Sequence, residues 1–407
     1  MTLPAAATVV LAAVFAGCFA ACVYLYFGYP ALIWLVARSR PRPLRPAPGA
    51  EPPTLSVIVP AFDEEAVIGE KLANTLAADY PPERLEVLVA SDGSTDGTEA
   101  IVARHAAADR RVRLLALPRR GKAAALDAAA AAARGDVLVL TDANALVEPD
   151  AFARLAAPFA DPAVGGVCGR KRYRLGRGAD ATELGENLYW RYDQWIKERE
   201  SRAGSVFAAD GTLYALRRSL YVPIADPAQA DDIALSARVV LQGRRLLFEP
   251  GAVAWEEAPA DGRAELARKV RVTNHSVRAL WSLGRPLWTS GFYSLELLSH
   301  KLFRHLVPFL LLPMLASHLL LAAGAPGTVG AAARWLLVPH LGFYALAAAG
   351  YLLRGRPAGR RRPLSVPYYF TLVNTAALLG VLSILAGRRL RAWTPRSGGE
   401  ASKGSLP

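Results

Sequence analysis

Five groups of residues in this 407-residue chain have types and spacings that could do chemistry. Phe62, Asp63 and Glu64 follow the run Leu55-Ser56-Val57-Ile58-Val59-Pro60. There an aromatic ring can stack on a flat base and a carboxylate can accept a hydrogen bond from its edge. Asp92 and Gly93 follow Val87-Leu88-Val89-Ala90-Ser91, and Asp142 and Asn144 follow Val137-Leu138-Val139-Leu140-Thr141. Gly121-Lys122 opens a helical stretch, where free backbone amides and an ammonium suit phosphate. Asp231-Asp232 opens another, and the first acid could raise the pKa of the second. Each group also has a plainer reading: Asp63 and Asp96 as helix N-caps, Lys122 as a solvated cation, and the paired aspartates as acids favoured by the helix dipole.

The elements that must hold these groups are short, Val/Leu/Ile-rich runs bounded by turn residues, which read as buried strands. Ala-rich helical patterns at Glu65–Ala78, Asp96–Ala108 and Lys122–Ala133 separate them. Strand alternating with helix predicts an α/β fold with a mostly parallel sheet flanked by helices. Such sheets bind ligands beyond the carboxyl ends of their strands, where these acids stand. Further along, strands are expected at Val112–Leu117, Val164–Tyr173, Gly211–Ala215 and Arg245–Phe248. Helices are expected at Thr182–Ser201, Asp231–Gln242 and Ala264–Leu283.

Together, Asp63-Glu64, Ser91-Asp92-Gly93-Ser94-Thr95-Asp96, Gly121-Lys122, Thr141-Asp142-Ala143-Asn144 and Asp231-Asp232 resemble the motifs of family 2 glycosyltransferases. Within that family the chain resembles the membrane-bound branch of cellulose and hyaluronan synthases, over residues 54–290. The resemblance implies a GT-A nucleotide-diphospho-sugar fold. It implies that Phe62, Glu64, Asp92, Gly93 and Lys122 hold the nucleotide sugar, and that Asp142 and Asn144 hold Mg²⁺ or Mn²⁺ against its diphosphate. It makes Asp232 the general base on the acceptor hydroxyl, with Asp231 in support, Arg271 steadying the leaving diphosphate, and Ala209-Asp210-Gly211 an acceptor-side loop. The departures are Asp63 for Asn, Asn144 for the second Asp, and Asp127 where Asn is frequent. In the Gln-x-x-Arg-Trp pattern of processive synthases, Arg268 stands for Gln and Val272 for Trp. The missing Trp removes a sugar-stacking platform, for which Tyr189, Trp190, Tyr192 and Trp195 offer another.

Composition points to membranes. Hydrophobic residues make up 53% and charged residues 20%, with a net charge of +13. No zinc-finger spacing or basic repeat with interleaved aromatics occurs, which argues against nucleic acid. The arginines instead crowd the ends of apolar segments, as at an anionic lipid surface. Three cysteines exclude a disulfide scaffold and suit a reducing compartment; Cys18 and Cys22, inside an apolar run, read as small hydrophobes. The six His form no metal-binding pattern, and His275 and His300 read as structural or interfacial.

The expected organisation is an N-terminal transmembrane helix in residues 1–37, a basic Pro-rich linker (38–53), the glycosyltransferase domain (54–290), an interfacial segment (291–301), C-terminal transmembrane helices (302–390) and a flexible tail (391–407). No basic stretch precedes the first apolar segment, which therefore reads as a retained span. Arg38–Arg45 and the Arg354–Pro363 loop put the catalytic domain in the cytoplasm of a multi-pass membrane protein by the positive-inside rule. Both flanks of the last segment, Leu364–Gly387, are basic, so one of them breaks that rule. The expected function is inverting transfer of a sugar from a nucleoside-diphosphate sugar to a glycan or lipid-linked acceptor. The alternative is a non-catalytic, nucleotide- or glycan-binding membrane subunit of a polysaccharide synthesis complex.

Overall fold

The computed structural model describes residues 2–174, 181–224, 226, 229–257 and 262–390. They divide into two compact units, one built from residues 43–173 and 204–257, the other from residues up to 42, 174–203 and 258–390.

The first unit is an eight-stranded sheet: β1 (Leu55–Ala61), β2 (Leu85–Asp92), β3 (Val112–Leu117), β4 (Val137–Thr141), β5 (Leu146–Val147), β6 (Val164–Arg174), β7 (Leu213–Arg217) and β8 (Arg245–Glu257). The strand order is β3-β2-β1-β4-β7-β6-β8-β5. The first four strands are parallel, with Leu55 opposite both Leu85 and Val137. β7 then runs antiparallel to β4 and to β6, and β5 antiparallel to β8. The sheet is thus mixed, and the expected "mostly parallel" character belongs to its first half.

β1 is buried along its whole length, as a central strand covered on both faces must be. Its alternate side chains feed two cores. Leu55, Val57, Val59 and Ala61 pack with Ile68, Leu72, Val102 and Phe152 on one face. Ile58 packs with Leu138, Leu140, Leu126, Tyr214 and Leu235 on the other. The helices run at Ile68–Leu76, Thr98–Ala108, Lys122–Ala132, Ala151–Ala156 and Asp231–Leu241. The first begins three residues later than expected, because residues 63–67 form a turn tied to the neighbouring loop.

The second unit holds the long apolar helices. Ala5–Ser39, Gly327–Leu352 and Arg362–Leu385 are long and apolar enough to cross a membrane. The pair Phe292–Leu306 and Pro308–Gly324 would make a fourth span, bent by 54°. The bend falls where Pro308 lacks the N–H that would continue the hydrogen-bond ladder. Helices Ala181–Ala203 and Gly262–Ser282, expected within a single 54–290 domain, belong to this unit. Helix Gly262–Ser282 lies so close to Arg362–Leu385 that a Cβ at Gly380 would meet Thr273 Cβ at 2.7 Å. The 291–301 segment, expected along the membrane surface, buries Tyr293, Glu296, Ser299 and His300 within the unit. His300 bridges Glu200 (2.6 Å) and Asp193 (3.0 Å), so its role is structural. The 391–407 tail lies outside the described residues.

Candidate active site

The sheet brings its acids to the carboxyl ends of β1, β2 and β4, in the first unit. After β1 the chain turns through Asp63, whose φ of 50° is the one positive value at a non-glycine among the described residues. Aspartate tolerates this region better than most residues because its side chain can bond locally. Here its carboxylate accepts the Thr95 N–H at 2.7 Å. Glu64 N–H donates to Thr98 Oγ1 (2.8 Å), Glu65 N–H to Asp96 Oδ2 (3.0 Å) and Gly97 N–H to Glu65 Oε2 (2.7 Å). The β1 and β2 loops are therefore stapled to each other. Asp96 Oδ1 accepts the Thr98 N–H at 3.0 Å at the start of the following helix, whose N-cap is Gly97 rather than the expected Asp96, and Asp63 serves the neighbouring loop rather than its own helix. Glu64 is buried.

Asp92, at the end of β2, is 1% exposed. Its Oδ1 accepts the N–H of Arg120 (2.7 Å) and Gly121 (3.0 Å), and its Oδ2 accepts Arg119 Nη1 (2.7 Å) and Gly121 N–H (2.8 Å). Gly93 has φ 70°, and a Cβ there would meet Arg119 N at 2.8 Å. The residue must be glycine for the 118–121 loop to lie against the Asp92 turn. The Arg119 guanidinium carbon sits 3.3 Å from the Phe62 ring centroid.

Lys122 opens helix Lys122–Ala132 and Asp231 opens helix Asp231–Leu241. Lys122 Nζ lies 3.0 Å from Asp142 Oδ1 and 3.2 Å from Asp231 Oδ2. Burial would lower its pKa, but Asp142, Asp231 and Asp232 together raise it above the ordinary lysine value; the ammonium stays charged. Asp232 Oδ2 accepts the Gly211 N–H at 3.1 Å, which joins the second helix start to the 209–211 loop. Asp210 Oδ1 accepts the Thr212 N–H (3.2 Å), while its Oδ2 is buried with no hydrogen-bond partner. Asp127, where the family pattern frequently has Asn, accepts the Tyr221 hydroxyl at 2.6 Å and the Ile224 N–H at 3.2 Å, and so braces the fold.

Asp142 and Asn144 stand on the turn after β4, both partly exposed. Among the described residues no group of three or more His, Cys, Asp or Glu could hold a metal ion alone. One carboxylate plus one amide oxygen nevertheless fits Mg²⁺ or Mn²⁺, which take oxygen ligands and commonly complete their shell with substrate phosphate. Asp142 already faces a cation, the Lys122 ammonium.

The sequence motifs did not reveal what holds that turn. Lys71, fully buried, donates to Thr141 Oγ1 at 3.0 Å and to Ala145 O at 2.5 Å. A signal was available: Lys71 falls between Ile68, Leu72 and Thr75 on the buried stripe of its helix. Burial pushes its pKa down to about 7, against the opposing pull of Asp142 and Glu256. Behind it, Thr141 Oγ1 donates to Thr212 O (2.9 Å), Thr212 Oγ1 to Glu256 (2.6 Å), and Glu256 pairs with buried Lys171 (2.8 Å). Tyr214, buried on β7 with its hydroxyl lacking a hydrogen-bond partner, is a further residue no motif singled out.

The structure thus gathers Phe62, Glu64, Asp92, Gly93, Lys122, Asp142, Asn144, Asp231 and Asp232 in one unit. Arg271 is carried by helix Gly262–Ser282 of the other unit. There its neighbours Arg268 and Lys269 are spent on Glu186 (2.8 and 2.9 Å) and Glu265 (2.7 and 3.5 Å). Trp190 donates to Glu186 (2.8 Å), and Tyr189 faces Lys269 at 5.0 Å. Those contacts make both aromatics part of an ion-paired core.

Known proteins resemble this chain. Residues 56–222 match the family model described as Glycosyl transferase family 2. A Bacillus subtilis (strain 168) protein named "Probable glycosyltransferase YdaM" is 30% identical over 218 residues, 51% of this chain and 52% of that one. An N-acetylglucosaminyltransferase of Rhizobium meliloti (strain 1021) is 28% identical over 304 residues, 69% of this chain and 70% of that one. The chain spans about half the length of most of the curated relatives it matches. Among solved structures, the mannosyltransferase PcManGT from Pyrobaculum calidifontis, in complex with GDP-Man and Mn²⁺, superposes with a TM-score of 0.67. It is 26% identical and covers 92% of this chain and 99% of its own. With the strand-end acids and the sheet that carries them, these matches show that residues 56–222 carry a glycosyl transferase family 2 domain with a GT-A fold.

Proposed function

We propose that the chain is a membrane-bound inverting glycosyltransferase that moves a sugar from a nucleoside-diphosphate sugar to a hydroxyl of a glycan or lipid-linked acceptor. The observation that carries this reading is the Lys122 ammonium between Asp142 and Asp231, at 3.0 and 3.2 Å. It joins a donor-side acid to the helix start that bears Asp232. The N-acetylglucosaminyltransferase name of one relative and the GDP-Man and Mn²⁺ of the structural neighbour support a nucleotide-sugar donor and a divalent cation.

In this reading Asp142 and Asn144 would hold Mg²⁺ or Mn²⁺, which when bound would offset the charge that grows on the leaving diphosphate. Lys122 turns from the carboxylates toward the same phosphates, at the start of its helix. Asp92 and Phe62 take the base, beside Gly93 and Glu64. Asp232, steadied by Gly211 N–H, accepts the proton of the acceptor hydroxyl. The hydroxyl oxygen bonds to C1 as the C1–diphosphate bond breaks on the opposite face. One displacement inverts that carbon, and no covalent enzyme intermediate forms. Asp231, beside Asp232, sets its surroundings. The apolar helices anchor the chain in the membrane, with the sheet unit on the cytoplasmic side and membrane lipids around the spans.

The test is a donor-hydrolysis and transfer screen of the full chain in detergent, across UDP- and GDP-sugars with Mg²⁺ or Mn²⁺. Turnover is expected with one donor class, lost in excess EDTA and in Asp142→Asn. Full turnover in EDTA would remove the metal from the reading. A chain that binds nucleotide sugars yet turns none over would favour the non-catalytic subunit.

A further inference from the structure

We propose that Arg119 fills the base position itself and must be displaced before a nucleotide binds there, which lowers the site's affinity for every nucleotide. The proposal rests on the nucleotide-sugar reading of this site.

Two features of the β1 and β2 ends suit a base: the face of Phe62 and the carboxylate of Asp92. Arg119 occupies both. Its guanidinium lies 3.3 Å from the Phe62 centroid, too close for any ring to enter between them. Its Nη1 donates to Asp92 Oδ2 at 2.7 Å. A carboxylate offers about four acceptor positions. Those of Asp92 receive Arg119 Nη1, Arg120 N–H and both contacts from Gly121 N–H. The backbone donors are fixed by the loop that Gly93 admits. The one exchangeable donor is the guanidinium. The Arg119 side chain is 41% exposed, so it can swing out to water without opening the core.

The incoming group must supply what leaves, namely a flat π-face and an N–H aimed at Asp92. Uracil, thymine and guanine carry a ring N–H on their pairing edge. Cytosine and adenine present there a ring nitrogen lone pair, which a carboxylate repels, beside an exocyclic amine. The preference among bases therefore comes from the Asp92 carboxylate, while closure by Arg119 lowers the apparent affinity of every base by the same factor, to the fraction of molecules open.

The experiment uses the full chain in detergent with Mn²⁺. Calorimetric titration compares UDP, GDP, CDP, ADP and inorganic pyrophosphate on wild type, Arg119→Ala and Arg119→Gln. Either variant is expected to bind the preferred nucleotide about five- to thirtyfold more tightly, the scale of one half-exposed ion pair plus one cation–π contact. The preference over CDP and ADP is unchanged, and so is pyrophosphate binding. If both variants bind nucleotide no more tightly than wild type while holding its melting temperature, the proposal is overturned. It is equally overturned if nucleotide and pyrophosphate weaken together, since Arg119 would then serve the phosphates. If pyrophosphate binds but no nucleotide does, in wild type or variant, the nucleotide-sugar reading itself falls.

Discussion

Lys71 gives the most quantitative test of how the Asp142 turn is held. Its ammonium is fully buried and its pKa falls to about 7, with burial as the chief cause. In the unfolded chain the same group titrates near 10.4. Between these values the unfolded state binds more protons, so stability rises with pH. The contribution of Lys71 is complete above the unfolded pKa and is lost as pH falls through about 7. Linkage over that interval gives the wild type about 2 kcal/mol more stability at pH 9 than at pH 7 from this residue alone. Lys71→Met carries no such term. The absolute ranking at pH 7 also includes the bonds to Thr141 and Ala145, so the difference in slope is the decisive quantity. The assay is thermal unfolding of both proteins in detergent and EDTA from pH 7 to 9, followed by fluorescence. At about 2–4 °C per kcal/mol, the gap in Tm between wild type and variant is expected to shift by roughly 4–8 °C in the wild type's favour. Parallel Tm curves across that range would refute the reasoning, since Lys71 would then be equally protonated in both states.

Two further expectations follow from the same geometry. Asp232→Asn is expected to lower kcat by about 10²–10⁴ and leave nucleoside-diphosphate affinity near wild type. Asp231→Asn, which removes a partner of Lys122, should cost less; the reverse order would move the base to Asp231, and full turnover in both would point to Asp210. Glu83, exposed beside β2, tests the membrane orientation: Glu83→Cys should resist an impermeant thiol reagent in intact cells and react after permeabilisation, whereas labelling of intact cells would invert the topology.

Much of the frame was legible in the chain because its signals are local. The Val/Leu-rich run of β1 is buried on both faces and reads as such within seven residues. Helix Lys122–Ala132 and strand Val112–Leu117 fall almost where the periodicity puts them. The acids at the ends of β1, β2 and β4 are adjacent because parallel strands in register must align their ends. Other features depend on partners far apart in sequence. Local pattern does not say that β7 enters antiparallel beside β4, although that pairing brings Thr212 against Thr141. Nor does it say that Arg245–Phe248 continues as a strand to Glu257.

What the sequence by itself determined is the α/β alternation, the apolar helices and the chemical types standing at the strand ends. Burial and backbone hydrogen bonding act on every few residues, and those residues carry the pattern. Only the tertiary structure decided which charges meet. Lys122 reaches Asp231, Arg119 covers Phe62 and Asp92, and Lys71 is driven under the Asp142 turn. Helices Ala181–Ala203 and Gly262–Ser282 likewise fall with the apolar unit. A long cationic side chain chooses among several carboxylates and carbonyls by angstroms, and those distances exist only once the sheet has brought distant loops together.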